Sequence, residues 1–255
     1  MFKIKKSILL LLIFVLSMFC IFSACKKEQA SNTKKIVVAT DATWPPMEYI
    51  DADRNIVGFD IDILKAAGQE GGFEVEFTNQ QWDGIFAGLA GGKYDAIISS
   101  LTITDERKKT MDFTIPYVTC GQILVVKKEN NSVTNLSQLE GKKVGVQGNT
   151  TGALEVRKYK KITLKEYDEI GLAVEDLAND RIDAVVCDNP IAADYVLQNQ
   201  KFKPILKMTG DIFTVEQYGI AVHKGNNAVL ELINSGLKKV QEKGIDKELE
   251  KKWLK

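Results

Sequence analysis

The sequence predicts an α/β fold in which mostly parallel β-sheets are covered by helices. Short β-rich runs alternate with segments of helical periodicity, and this alternation is typical of βαβ units. The same order occurs twice along the chain. The predicted strands are 36–40, 73–77, 94–99, 122–127, 143–147, 162–167 and 182–187. The predicted helices are 58–68, 82–89, 151–159, 170–179, 190–198 and a C-terminal helix with Leu230, Ile233, Leu237 and Val240 on its core face.

The elements of the first half follow from local patterns. The run Ile36–Thr40 is almost entirely apolar, as in a buried strand, and Phe73–Phe77 alternates between apolar and acidic residues. Residues 58–68 place their large apolar side chains on one helical face. The helix that begins at Trp82 runs into Gly91-Gly92, and glycine is a common C-terminal signal of helices.

The second half repeats a pattern of the first. The segments "KYDAII" (93–98) and "RIDAVV" (181–186) each follow a helix and enter a strand, and these strands run into Ser99-Ser100 and Cys187-Asp188. Ligands of open α/β sheets bind beyond the carboxyl ends of the strands. Two lobes that face one cleft therefore fit the pattern. One continuous sheet, with a chance repeat of Asp-Ala, is the alternative that the pattern leaves open.

The first 24 residues have the layout of a signal peptide, because three lysines precede an uncharged apolar run from Ser7 to Ala24. The sequence Phe22-Ser-Ala-Cys25 resembles a bacterial lipobox, although phenylalanine stands where leucine is usual. In lipoproteins the signal is cut before the cysteine, which becomes lipid-modified. A retained anchor helix is the alternative. Residues 25–33 are then a lipidated N-terminus and a polar tether.

The composition restricts the classes of partner. The chain has 34 basic and 34 acidic residues, and removing the three lysines within residues 1–24 leaves 31 basic residues against 34 acidic ones. This balance, without a basic patch, argues against a nucleic-acid partner. Of the four cysteines only Cys120 and Cys187 follow the tether. No dense disulfide framework is possible, and we expect free, buried thiols.

Four hydroxyls and Arg107 follow the third predicted strand, in the stretch "SSLTITDERKKTMDF" (99–113). Thr104 is expected to cap a short helix in which an arginine in the first turn opposes the helix dipole. Helix stability therefore does not explain Arg107. A guanidinium binds a carboxylate bidentately, and the hydroxyls and amides of Ser99–Thr102 could complete such a pocket. A surface ion pair with Asp112 is the alternative.

Two further strand ends carry polar groups. The loop "VQGNTTG" (146–152) leads into a helix whose first N–H groups can bind an anion. Because the loop lacks the lysine of a phosphate-binding GxxxxGK[ST] motif, a single carboxylate fits better than a nucleotide. Asp188 ends the later strand, where a carboxylate can take up an ammonium group. A local role as N-cap of the following helix is the alternative.

A side-chain pocket is predicted near the end of the first strand. Asp41 ends this strand, Trp44 follows it, and Trp82 begins a helix close to another strand end. Two tryptophans can enclose an extended or cationic side chain, although tryptophan more often belongs to a core. The whole set offers groups for a carboxylate, an ammonium and a polar side chain. A free α-amino acid has these three parts.

Six segments resemble the polar and basic amino-acid-binding proteins of bacterial ABC importers, solute-binding protein family 3. They are "VVATDATWPPMEY" (37–49), "VGFDIDILKA" (57–66), "TITDERKKTMDFTIPY" (102–117), "KKVGVQGNTTG" (142–152), "DAVVCDNP" (183–190) and "QYGIAVHKG" (217–225). The resemblance implies a two-lobed periplasmic-binding-protein fold of type II, with two mixed, mostly parallel sheets joined by two hinge strands. Lobe 1 would comprise 34–118 and 219–255, and lobe 2 would comprise 119–218.

The resemblance also implies how the backbone of an amino acid is held. Arg107 would bind the α-carboxylate, helped by Thr102 and by the backbone amide of Thr151. Asp188 and a backbone carbonyl near Ser100 would bind the α-ammonium.

The same family pattern places Trp44 and Trp82 beside the ligand side chain and Asp41 at its polar end. Since an unpaired buried carboxylate is costly, Asp41 favours arginine, lysine or histidine first and glutamine next. The predicted ligand-binding residues are Asp41, Trp44, Trp82, Ser99, Ser100, Thr102, Arg107, Gln147, Thr150, Thr151 and Asp188.

The function implied is that of an extracytoplasmic lipoprotein, a monomer anchored through lipid on Cys25, in the periplasm or on the outer face of the plasma membrane. It would pass a free L-amino acid to the transmembrane subunits of an ABC permease, without a metal, cofactor or catalytic residue. An amino-acid-sensing receptor component is one alternative. A cyclohexadienyl-dehydratase-like enzyme on the same fold is another, although the one histidine, His223, lies in a segment outside the expected pocket.

Overall fold

The structure is a computed structural model that describes residues 34–254. The predicted signal peptide (1–24), the lipidation site Cys25 and the whole tether up to residue 33 lie outside the described residues. Within 34–254, no helix combines the length and the apolar character that a membrane span requires.

Fifteen strands run through the described residues. They are β1 (Lys34–Thr40), β2 (Thr43–Trp44), β3 (Glu48–Ile50), β4 (Ile56–Val57), β5 (Phe73–Asn79), β6 (Ala96–Ile97), β7 (Met111–Phe113), β8 (Val118–Cys120), β9 (Gln122–Lys127), β10 (Lys143–Gln147), β11 (Thr163–Tyr167), β12 (Ala184–Asp188), β13 (Leu206–Thr209), β14 (Glu216–Tyr218) and β15 (Ala221–His223).

Eight α-helices lie between these strands in the described part of the chain. They are α1 (Phe59–Gly71), α2 (Trp82–Ala90), α3 (Asp105–Lys108), α4 (Thr151–Arg157), α5 (Ile170–Ala178), α6 (Asn189–Ala193), α7 (Asn227–Glu242) and α8 (Ile245–Trp253). A 3₁₀ turn spans Leu136–Leu139, and a π-helical turn, Asp194–Gln198, continues α6.

The first lobe is built on a five-stranded sheet in the order β5-β1-β6-β15-β7. The first three strands are parallel, and β15 returns antiparallel to both β6 and β7. Ile36 and Val38 of β1 are fully buried, as the apolar run predicts. The carboxyl ends of β1 and β6 therefore lie side by side, which brings Asp41 next to Ser99.

The second lobe repeats this plan with the order β11-β10-β12-β9-β13. Its strands β11, β10 and β12 are parallel, and β9 and β13 are antiparallel to them. The carboxyl ends of β10 and β12 thus carry Gln147 and Asp188 to one edge. The two "DA" segments enter β6 and β12, which occupy equivalent places in the two sheets.

Strands β8 and β14 form a separate antiparallel pair that joins the two lobes. Cys120 of β8 pairs in register with Glu216 of β14. The predicted two-lobed fold is confirmed, and the single continuous sheet is excluded. Cys120 and Cys187 are buried free thiols, as expected.

Two elements differ from their sequence patterns. The predicted strand 94–99 is reduced to the short strand β6. Before β6, the Asp95 side chain accepts from the Val37 N–H and the Asp95 N–H donates to the Val37 carbonyl. After β6, Ser100 turns the chain at φ 48°. The predicted helix 190–198 changes from α to π geometry at Asp194. The small sheet β2-β3-β4 was not predicted, since its strands are only two or three residues long.

Helices α1 and α7 pack closely on the first lobe because a glycine lies at their contact. A Cβ on Gly236 would stand 2.2 Å from the carbonyl oxygen of Ala67, and it would meet backbone rather than a movable side chain. The contact joins the C-terminal segment to the N-terminal part of the same lobe.

Gly236→Ala should therefore destabilise the protein. Alanine improves helix propensity by about 1 kcal/mol, but overpacking against backbone, which requires the helices to separate, costs about 2–3 kcal/mol, the upper part of the usual range. We expect a net loss of about 1–2 kcal/mol in the free energy of unfolding, measured by urea denaturation. Ser235→Ala, at an exposed position in the same helix, is the control and should not destabilise. A Gly236→Ala protein as stable as the wild type would contradict the close packing.

Candidate functional site

A cavity lies between the two lobes, at the carboxyl ends of their strands. All eleven residues predicted from the sequence line it, together with Glu48. The lining consists of Asp41, Trp44, Glu48, Trp82, Ser99, Ser100, Thr102, Arg107, Gln147, Thr150, Thr151 and Asp188.

Hydrogen bonds hold both the backbone and the guanidinium of Arg107 in place. The Thr104 hydroxyl accepts from the Arg107 N–H at 3.2 Å, which is the predicted N-cap of α3. The guanidinium donates to the Thr102 carbonyl at 2.9 Å and lies 5.7 Å from the ring centroid of Trp82. Burial lowers the pKa of Arg107 to about 10, against the opposing effect of nearby acids.

The local alternative for Arg107 is wrong. Asp112 accepts from Lys224 Nζ at 2.6 Å and from the Gly225 N–H at 2.7 Å, on the outer surface of the first lobe. Arg107 instead faces the cavity, where several of its five N–H donors are not used by the protein.

The N-terminus of α4 faces Arg107 from the second lobe. Thr150 is its N-cap: the hydroxyl accepts from the Ala153 N–H at 3.2 Å and donates to the Gln147 carbonyl at 2.8 Å. The first N–H groups of a helix have no intrahelical acceptor. Asn149 turns the loop at φ 56°, and its carbonyl accepts from Arg107 at 3.4 Å. The arrangement suits an anion between the guanidinium and the helix start.

Asp188 ends β12 and is 5% exposed. It occupies the N-cap position of α6 but makes no side-chain capping hydrogen bond, so the local alternative fails for this residue too. Its carboxylate accepts from Cys120 Sγ at 3.6 Å. Burial raises the pKa of Asp188 to about 6, and the negative charge of Glu216 adds to the rise. A cationic group in the cavity would compensate this carboxylate.

Asp41 lies at the opposite end of the cavity from the hinge strands. Its backbone N–H donates to the Ser99 hydroxyl at 3.0 Å, and its carboxylate accepts from Thr43 at 3.0 Å and from Gln147 at 3.4 Å. Burial raises the pKa of Asp41. Trp44, 7% exposed, lines the cavity nearby.

The lobes are closed on each other around the cavity. Trp82 Nε1 in the first lobe donates to the Gly148 carbonyl in the second at 3.1 Å, and Asn149 donates to Asp83 at 3.1 Å. These contacts leave the cavity enclosed between the lobes.

A pair of buried acids that the sequence did not predict lies at one side of the cavity, where Glu48 lines it and Asp60 is buried behind. Glu48 lies on β3, and its two oxygens accept from the hydroxyls of Ser99 and Ser100 at 3.1 Å each. Asp60, in the first turn of α1, accepts from the Ser100 N–H at 2.7 Å and from Tyr117 Oη at 2.8 Å.

The two acids perturb each other. Burial and the charge of Asp60 raise the pKa of Glu48, and burial raises that of Asp60 to about 7. The sequence signal was an aspartate directly after the buried Phe59, on the face of α1 that should be apolar.

This pair makes the stability of the ligand-free protein depend on pH. An acid whose pKa is raised in the folded state binds more protons folded than unfolded, so its contribution is lost as the pH rises through the folded value. We expect the free energy of unfolding to fall between about pH 4 and pH 8, through the pKa of Asp60 at about 7. Glu48→Gln removes the titrating partner and should make the fall smaller in urea denaturation at a series of pH values.

Glu76→Gln is the control, because Glu76 is an exposed acid on β5 paired with Lys35. It should keep the wild-type pH dependence. Equal slopes for wild type and Glu48→Gln would show that Glu48 does not contribute to the pH dependence of stability.

Comparison with known proteins agrees with the fold and the cleft. A family model described as "Bacterial extracellular solute-binding proteins, family 3" matches residues 36–255. A probable histidine-binding protein of Neisseria gonorrhoeae is 36% identical over 84% of this chain and 81% of its own. A putative ABC transporter arginine-binding protein 2 of Escherichia coli K12 is 35% identical over 88% of this chain and 93% of its own.

Solved structures are similar over the same range. An ancestral arginine-binding protein bound to arginine superposes with a TM-score of 0.82 and 42% identity, covering 87% of this chain and 98% of that one. The ancestral amino acid-binding protein AncCDT-1, a precursor of cyclohexadienyl dehydratase, gives a TM-score of 0.80 and 35% identity, covering 87% and 96%.

Proposed function

The chain belongs to family 3 of the bacterial extracellular solute-binding proteins, and we propose that it captures a free L-amino acid, cationic by preference, for an ABC importer. The observation that carries the proposal is the pair Arg107 and Asp188. They line one cavity from opposite lobes, one cationic and one anionic. A zwitterion matches both at once.

The α-carboxylate of the ligand is assigned to Arg107 and the N-terminus of α4. A guanidinium offers parallel N–H donors to a carboxylate, and the helix start adds backbone N–H groups with a favourable dipole. Asp188 takes the α-ammonium. Because burial raises the pKa of Asp188 to about 6 without a ligand, a bound ammonium would favour its ionised form.

The charges of the lining favour a cationic side chain. Among the twelve described residues that line the cavity, Arg107 is the one cation, whereas Asp41, Glu48 and Asp188 are acids. A basic amino acid adds a second positive charge near Asp41, and the relatives named for histidine and arginine support this preference. Glutamine could donate its amide to Asp41 without compensating the charge, so we rank it next.

Ligand capture is proposed to shift a population of open and closed forms. Residues 119–218 would move as one lobe against 34–118 and 219–255, about the strands β8 and β14. Only contacts that differ between the two forms can shift such an equilibrium. A zwitterion held by Arg107 and Asp188 supplies them, since these groups belong to different lobes.

We further propose that the protein is anchored at the outer side of a membrane. The family is extracytoplasmic. Cleavage after residue 24 and lipid on Cys25 would anchor a monomeric protein to the membrane, with residues 26–33 as tether and the ABC permease as partner. The ABC transporter relative supports this partner.

A binding role is favoured over catalysis. His223 lies on β15, exposed, with its ring against the carbonyl of its neighbour Lys224, and it does not line the cavity. AncCDT-1 is itself described as an amino acid-binding protein. Incubation with prephenate should therefore give no product, and release of an aromatic product would favour a dehydratase instead.

The first experiment is a ligand screen by thermal unfolding. Residues 26–255 are unfolded, dialysed and refolded to remove bound ligand, then melted with each of the twenty amino acids and ornithine. A ligand at a hundredfold excess over Kd adds about 3 kcal/mol of stability. We expect the largest rise in Tm with arginine, lysine or histidine. No shift with any amino acid would refute the proposed function.

Arg107→Ala should weaken the binding of every amino acid alike. Removing one partner of a buried charge pair costs about 2–5 kcal/mol, here in the contact that all amino acids share. Isothermal titration calorimetry with arginine and with glutamine measures the loss. Arg157→Ala, on the exposed side of α4 where Arg157 pairs with Glu166, is the matched control and should bind normally. Wild-type affinity in Arg107→Ala would show that the carboxylate binds elsewhere.

Asp41→Asn should instead change which amino acid is preferred. Loss of a charge-assisted contact to the side chain lowers the ratio of arginine to glutamine affinity by about tenfold to a hundredfold. Asp83→Asn is the control, because Asp83 joins the lobes through Asn149 outside the cavity. It should weaken both ligands equally. If the ratio is the same in Asp41→Asn and wild type, Asp41 does not set the specificity.

A further inference from the structure

We propose that Glu216, on hinge strand β14, is a positioning residue that acts through the Thr102 and Thr151 hydroxyls. Glu216 would hold these two hydroxyls together in the closed form. Their lone pairs would then point toward the cavity, where they favour cationic groups of the ligand. The inference rests on the proposed function for its ligand and on the geometry of the hinge for its mechanism.

Glu216 is a buried carboxylate whose two oxygens are fully used. The Thr102 and Thr151 hydroxyls each donate to Oε2 at 2.7 Å. Gln122 Nε2 donates to Oε1 at 3.1 Å and the Thr214 hydroxyl donates to it at 2.9 Å. Four donors match the acceptor capacity of an ionised carboxylate. Glu216 lies behind the cavity, whose lining it does not reach.

The shared oxygen couples the lobes. Thr102 is tied to the hinge strand by a bridge to Tyr218, and the flanking Ile103 N–H donates to the Gln217 carbonyl at 2.8 Å. Thr151 belongs to α4 of the second lobe. Glu216 therefore has one partner in the first lobe, Thr102, and its other partners in the second. A rotation that opens the cleft would separate Thr102 from Thr151 and so break one of the two bonds to the shared oxygen.

Glu216 Oε2 also sets the polarity of the part of the cavity that Thr102 and Thr151 line. A hydroxyl has one proton, and both threonines give theirs to Glu216. What Thr102 and Thr151 can present to the cavity is then lone pairs, which accept from an ammonium or guanidinium and repel a carboxylate. The ligand carboxylate is left to Arg107 and backbone N–H groups.

The charge of Glu216 acts in the same direction. It opposes the effect of burial on the pKa of Arg107, and it raises the pKa of Asp188. Glu216 thus stabilises the Arg107 cation, and it makes the neighbourhood of Asp188 more favourable to a cation.

Glu216→Gln tests the role, because the amide has one oxygen to accept and an NH₂ group that must donate. The glutamine side chain cannot accept from the two threonines Thr102 and Thr151 and also from Gln122 and Thr214. The Thr102 and Thr151 hydroxyls therefore reorient toward the cavity. We expect a loss of about tenfold in the affinity for arginine and for glutamine by calorimetry, because both ligands carry the α-ammonium. Thr214→Val removes a donor to the other oxygen and should leave both affinities close to the wild-type values.

A double-mutant cycle with Thr151→Val separates positioning from a general loss of structure. If Glu216 acts through Thr151, Glu216→Gln should have a much smaller effect on arginine affinity in the Thr151→Val background. Additive effects on affinity, or wild-type affinities in Glu216→Gln, would overturn the inference while leaving amino-acid binding intact.

The same double-mutant cycle can be measured without ligand, on the free energy of unfolding. Coupling between Glu216→Gln and Thr151→Val there supports the contact between the lobes, and its absence overturns it. Failure of the wild type to bind any amino acid would instead refute the proposed function.

Discussion

Charge buried between the two lobes is the constraint on which the rest of the structure depends. A buried ion must be paired or hydrogen-bonded, or it costs several kcal/mol. Among the described residues, the cleft is lined by one cation, Arg107 of α3, and by the acids Asp41, Glu48 and Asp188. The two sheets, the hinge pair and the helix starts are arranged so that these groups converge on one cavity.

The protein accommodates the charges in three different ways. Four donors satisfy Glu216 completely. Glu48 and Asp60 are buried together, and burial raises the pKa of both, which disfavours their charged forms. Arg107 and Asp188 are left with partners that compensate them only in part, and these are the two groups that a zwitterion can satisfy. The charges that the protein does not compensate itself define what it binds.

Much of the site was predictable from sequence because the fold places strand ends together. Asp41, Ser99, Gln147 and Asp188 follow or end strands whose patterns are plain, so their convergence followed from the topology. Their grouping in one cavity with the tryptophans and Arg107 agrees with the prediction residue by residue.

The partners that hold those groups were harder to predict. Glu48 and Asp60 are twelve residues apart in the chain, and they meet Ser99 and Ser100 only through the packing of β3 and α1 on the sheet. Glu216 lies more than a hundred residues from Thr102, beside a short hinge strand with no hydrophobic periodicity of its own. Local patterns do not contain such contacts, because they arise from tertiary packing.

The most direct test of the central claim is a crystal structure of the protein with L-arginine. The account predicts the α-carboxylate on the Arg107 guanidinium and the start of α4, the α-ammonium on Asp188, and the guanidinium of the ligand near Asp41 between Trp44 and Trp82. A ligand bound in the reverse orientation, with its carboxylate near Asp41, or bound outside this cavity, would contradict it.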